Sequence, residues 1–133
     1  MATININPEL IRQALEKFQP AVVYVFGSVA GDRVRPDSDL DLAFLPATPT
    51  DPYAVFQAAQ ELAGGVGREV DLVDLLGASA VMKAQVLQTG QRLFVNDARR
   101  TAEFEMYALS DYARANEERR EVLAAFGDLA HAR

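Results

Sequence analysis

The sequence predicts an α/β or α+β domain, and three observations lead there. Apolar residues recur at helical spacing in some stretches and run as β-branched or aromatic blocks in others, and the two kinds alternate along the chain. At 133 residues there is room for one domain. Half of the residues are hydrophobic, so an aliphatic core can be buried although Trp is absent.

Asn7-Pro8 has the form of an N-cap followed by Pro at the first helical position. Leu10, Ile11, Ala14, Leu15 and Phe18 then follow the helical period, and Pro20 ends the segment. Ala21 to Phe26 is a β-branched and aromatic run, hence a buried strand. Gly27 to Ser38 is rich in Gly, Asp and Pro and reads as loop, with Asp39 to Leu45 as the second strand. Asp51-Pro52 opens a helix to Ala63, which Gly64-Gly65-Val66-Gly67 is expected to break. Glu69 to Val73 is a third strand, and Ser79 to Thr89 a helix whose C-terminal stop is Gly90. Arg92 to Val95 is a short fourth strand. Asn96 or Asp97 caps a long C-terminal helix, 97–133, with a broad apolar face and an apolar tail at Val122 to Phe126.

Composition excludes several chemistries. The net charge is −6, so binding to nucleic acid through a general basic surface is not expected. Cys is absent and His131 is the only His, which removes thiolate sites, Ser-His-Asp catalysis and multi-His metal sites. Any metal site must be built from oxygen ligands. No run of 18 apolar residues exists, so no membrane span is expected. The N-terminus lacks a basic start and an apolar core, which makes the cytoplasm the default location.

The informative stretch is Phe26-Gly27-Ser28, ten residues, then Asp39-Leu40-Asp41. Residues two apart on a strand share a face, so Asp39 and Asp41 project together while Leu40 and Leu42 face the core. Adjacent carboxylates repel unless a proton or a cation joins them. Paired hard oxygen ligands suit Mg²⁺, which takes one or two carboxylates together with phosphates and water. If the third strand lies beside the second, Asp71 completes a three-carboxylate cluster able to hold two metal ions for in-line displacement at phosphorus. Asp74 has the opposite parity and should face away. Gly27 permits close backbone approach to a ligand, and the Ser28 hydroxyl can donate to phosphate oxygens. Arg33 and Arg35 in the loop are weaker candidates for triphosphate contact. Singly, a Gly-Ser is a turn and an Asp-x-Asp a solvated face; the combination points to a metal-nucleotide site.

The segment Gly27 to Asp41 resembles the signature of the nucleotidyltransferase β superfamily. Within it, the short chain and Val70-Asp71-Leu72-Val73-Asp74-Leu75 resemble the minimal nucleotidyltransferases, the MntA-type antitoxins, and Gly90 to Val95 is similar to their last strand. The resemblance spans residues 8–120. Here Gly31 is third in the spacer and Asp32 fourth, where many relatives have Gly fourth.

This resemblance implies a small mixed β-sheet flanked by helices, the polymerase-β-like palm. It implies transfer of AMP from ATP with Mg²⁺, or Mn²⁺ in its place. Asp39, Asp41 and Asp71 would be the catalytic metal ligands, with Asp71 the base for the acceptor. Gly27 and Ser28 would hold the triphosphate, joined by Arg33 and Arg35. The acceptor would be a Tyr of an HEPN-type toxin, silenced by adenylylation in a type VII-like toxin–antitoxin pair.

Two other functions compete: a small-molecule nucleotidyltransferase of the antibiotic-modifying type, and a non-catalytic antitoxin that masks its partner. The long helix is expected to contact that partner or a second copy, giving a hetero-oligomer or homodimer. Lys83 reads as a surface residue, His131 has no role, and Tyr24, Tyr53, Tyr107 and Tyr112 read as packing.

Overall fold

A computed structural model of the chain describes residues 7–27 and 39–131, with side chains to residue 125. Ser28, Arg33 and Arg35 lie outside the described residues. The first helix, α1, spans Pro8–Leu15; the Asn7 side chain caps it by accepting from the Glu9 N–H at 3.0 Å. One 3₁₀ turn, Glu16–Phe18, carries the chain to Gln19 and into strand β1, Val22–Phe26, buried along its whole length. Strand β2 is Leu40–Phe44, helix α2 Pro52–Val66 and strand β3 Val70–Asp74. Helix α3 is Ala80–Thr89, strand β4 Gln91–Val95 and helix α4 Ala98–His131.

The sheet order is β3-β2-β1-β4. Strand β1 is antiparallel to both β2 and β4, while β2 and β3 run parallel, joined by the α2 crossover. The sheet is therefore mixed and helices cover both faces. Val23, Val25, Leu40, Leu42 and Phe44 pack with Ile11 and Leu15 of α1 and Ala58 and Leu62 of α2. Val22, Tyr24, Phe26 and Ala43 point the other way, to a cluster that includes Val86 of α3 and Phe104 of α4. Strand alternation thus divides one sheet between two cores. Among the described residues no helix is long and apolar enough to cross a membrane.

One expected boundary fails. Helix α2 does not break at Gly64 but continues to Val66. Glycine inside a helix costs only about 1 kcal/mol relative to Ala, and Gly65 lies against α1, where an added Cβ would stand 3.5 Å from Leu10 Cδ1. The helix ends at Gly67, whose φ of +70° places it in the left-handed region and whose N–H donates to the Ala63 carbonyl at 3.0 Å. Gly90 does stop α3, yet in an extended conformation. Its constraint is space: a Cβ there would overlap the Val86 carbonyl and stand 3.1 Å from the Val25 carbonyl oxygen. The start of α4 is settled in favour of Asp97, which accepts from the Arg100 N–H at 3.0 Å, while Asn96 donates its side-chain amide to the Pro20 carbonyl.

Crowding at Gly90 gives a stability prediction. Gly90→Ala should cost about 1–3 kcal/mol, the usual range for an overpacked site, and should lower the urea midpoint. A midpoint equal to wild type would show that β1 and α3 have room to separate.

Candidate active site

The site forms where β1 ends and β2 and β3 begin. Parallel pairing sets Asp41 directly beside Asp71, and antiparallel pairing sets Asp41 opposite Phe26. Neighbouring strands are about 4.8 Å apart, so the two carboxylates project from one face as close neighbours. Asp39 lies one residue before β2 and is exposed, as is Asp71, whereas Asp41 is half-buried between them. Leu40 and Leu42, both fully buried, hold β2 in this register. A slip of one residue would bury the carboxylates and expose the leucines.

Asp41 carries the electrostatic cost. Burial raises its pKa from an ordinary 3.8 to about 6, aided by the charge of Asp71, a hydrogen bond shared with Asp71 and the charge of Asp39. Such a group favours a proton or a cation. Gly27, with a φ of +76°, turns the chain directly over it. A Cβ at Gly27 would overlap Asp41 Oδ2 and stand 3.1 Å from Asp41 Cγ. Glycine is required there both by conformation and by the carboxylate beneath it.

The donor set fits Mg²⁺. Its candidate donors are carboxylate oxygens only, and Asp41 is disfavoured as a free anion. Among the described residues no three His, Cys, Asp or Glu side chains converge on one ion position. Asp39 and Asp71 are exposed, so an ion held by these carboxylates would stay accessible to phosphate oxygens.

Asp74 is occupied elsewhere, as its parity requires. Its carboxylate accepts from the Thr50 hydroxyl and, at 2.8 Å, from the Leu76 N–H. The tyrosines divide. Tyr24 is buried on the same sheet face as Asp41 and donates to Glu105 of α4 at 2.6 Å. Burial and the neighbouring Glu105 push its hydroxyl well above the usual pKa. Arg92 of β4 grips the same carboxylate, with its Nε donating at 3.0 Å. This tie positions α4 beside the site. It joins residues 81 apart in sequence, so no local pattern announces it. Tyr53 and Tyr107, expected to pack, are instead 64% and 62% exposed.

A family model described as "Polymerase beta, Nucleotidyltransferase" matches residues 9–99. This chain belongs to that nucleotidyltransferase family. Protein adenylyltransferase MntA of Shewanella oneidensis is 38% identical over 96 residues, covering 71% of this chain and 68% of the relative. A crystal structure of a toxin–antitoxin with AMP-PNP contains a chain that matches with a TM-score of 0.78 and 32% identity, covering 91% of this chain and 98% of that one. A structure of a tri-AMPylated Shewanella oneidensis HEPN toxin in complex with MNT antitoxin matches with a TM-score of 0.71 and 30% identity, covering 90% and 91%. The nucleotidyltransferase fold expected from the signature is therefore present.

The raised pKa of Asp41 makes a signed prediction for the metal-free nucleotidyltransferase. Between pH 4 and 6 the folded state holds a proton at Asp41 that the unfolded state has released, so this group's stabilisation is full below its unfolded pKa and lost as pH rises through about 6. In EDTA, Asp41→Asn should therefore raise Tm relative to wild type at pH 7.5 more than at pH 4.5. An equal shift at both pH values would contradict the assigned charge crowding.

Proposed function

We propose that this chain is a metal-dependent protein adenylyltransferase acting as the antitoxin of a type VII-like toxin–antitoxin pair. It transfers AMP from ATP to a Tyr hydroxyl of an HEPN-type toxin in the cytoplasm. The observation that carries the reading is the register that sets Asp41 beside Asp71, with Gly27 turned over Asp41. The relatives support the choice of substrate and partner: one is a protein adenylyltransferase, and one solved complex contains an AMPylated HEPN toxin.

Each residue has a task. The backbone at Gly27 lies close to the carboxylates and, with the Ser28 hydroxyl, holds the triphosphate; Arg33 and Arg35 are candidates to neutralise it. Asp39 and Asp41 would hold Mg²⁺, or Mn²⁺ in its place, with Asp71 as the third carboxylate. Bound there, such an ion would supply positive charge against the phosphates. Asp71, on the outer strand, accepts the proton of the acceptor hydroxyl. The hydroxyl oxygen bonds to the α-phosphorus, the bond from that phosphorus to the bridging oxygen breaks, and pyrophosphate leaves.

Helix α4 is assigned to partner contact. Its 34 residues span about 51 Å at 1.5 Å per residue, far longer than a strand of five residues. Every residue from 113 to 125 is exposed, including Val122 and Leu123. Apolar residues on a projecting helix find cover only on another chain.

Intact-mass measurement of the partner tests the activity. With ATP and Mg²⁺, wild type should add whole AMP units to a copurified HEPN partner, and an Asp39→Asn/Asp41→Asn double variant should add none. An unmodified yet inhibited partner would favour masking by contact. Truncation after Asn116 should abolish the complex while leaving Tm near wild type; retained binding would remove α4 from the interface.

A further inference from the structure

We propose that Glu105 is a positioning residue for transfer to a protein acceptor: by tying α4 to β1 and β4 it fixes the angle at which α4 leaves the sheet, and so where the partner's hydroxyl meets the carboxylates. The proposal rests on the reading that α4 carries the partner, and adds what aims it.

Helix α4 packs on the sheet face that bears the site. Phe26 pairs with Asp41, so Tyr24, Phe26, Asp41 and Ala43 share one face. Phe104 of α4 packs against the cluster that contains Tyr24, Phe26 and Ala43. Thr101, Phe104, Glu105 and Ala108 have the spacing of one helical face, and Thr101 and Ala108 are buried. Every residue from 113 to 125 is exposed, so the grip ends within the first half of the helix.

The free part is a lever. From Ala108 to Ala125 it runs about 26 Å, and a tilt of about 10° at its root moves the far end by about 4 Å. Misplacing reacting groups by only about 1 Å can cost about a hundredfold in rate. Apolar cover does not set the tilt, because it is non-directional. An axis needs two fixed points. Thr101 supplies one, its hydroxyl donating to the Ala21 carbonyl at 3.3 Å. Glu105 supplies the second, one turn further on. Its carboxylate accepts from the Tyr24 hydroxyl at 2.6 Å, from Arg92 Nε at 3.0 Å and from Arg92 Nη2. Two guanidinium nitrogens on two carboxylate oxygens fix orientation as well as distance. The donors come from β1 and β4, so the helix is set against two strands at once. The Arg92 hydrogen bonds hold Glu105 below the ordinary carboxylate range, which keeps the tie charged at neutral pH.

The chain has no Cys, so Gln57→Cys on α2 and Arg119→Cys on α4 give two unique sites for spin labels. The label-to-label distance should be narrowly distributed with Glu105 present and broad in Glu105→Ala. Without labels and at saturating HEPN partner, Glu105→Ala should lower kcat for AMP addition at least about tenfold. Its Kd for Mg²⁺–AMP-PNP and for the partner should stay within about threefold of wild type. Tyr24→Phe keeps the buried ring and removes one tie; it should shift both readouts in the same direction by less, and it decides the matter if Glu105→Ala does not fold. Glu103→Ala, which breaks only the exposed pair with Arg99 on the same helix, should match wild type. A distance distribution that stays narrow, or a wild-type kcat despite a broad one, overturns the proposal. So does a fall in kcat matched by an equal loss of nucleotide binding, which marks a purely structural role. A wild type that adds no AMP sinks the adenylyltransferase reading itself, and the positioning role with it.

Discussion

Two carboxylates in register on adjacent parallel strands set the terms for the whole structure. Asp41 and Asp71 are drawn together by backbone pairing, which is indifferent to their charge. The repulsion is sustained because β2 is pinned from behind. Leu40, Leu42 and Phe44 are fully buried beneath α1 and α2, and any slip that separated the charges would expose them. Burial energy in one core thus holds an unfavourable charge arrangement on the opposite face. A proton or a cation held at the two carboxylates would offset that repulsion.

The same logic explains the residues around the site. Gly27 is a glycine because Asp41 occupies the space of its Cβ and because φ is positive. Gly90 is a glycine because α3 must end against β1. Tyr24, Glu105 and Arg92 join β1, α4 and β4 on the face that carries Asp41. Each fixes an element that borders the reacting groups. Among the described residues, β3 pairs with no strand on its outer side.

Much of this was legible in the sequence because local physics dictated it. Asn7, Asp51, Ser79 and Asp97 all cap the helices their positions suggest. Parity alone separated Asp71 from Asp74, and the structure gives Asp74 to Thr50 and Leu76. The end of α2 was misplaced because Gly64 and Gly65 carry a weak helix penalty that packing against α1 overrides. The Tyr24–Glu105 tie was not legible. It arises from a chain crossing and leaves no period or motif behind. Exposure of Tyr53 and Tyr107 was missed for a related reason, since an aromatic on a helix gives no sign of whether another helix covers it.

The nucleotidyltransferase family supplies the frame, and this chain's own geometry supplies the charge pattern that makes the frame reactive. Asp41 is held beside Asp71 at a cost that a proton or cation relieves. Carbon-detected NMR titration of the Asp41 carboxyl measures this directly. Without metal the inflection should lie near 6, should fall toward the ordinary carboxylate range in Asp71→Asn, and should also fall when Mg²⁺ and AMP-PNP are added. An inflection already at the ordinary value, unmoved by either change, would contradict the account.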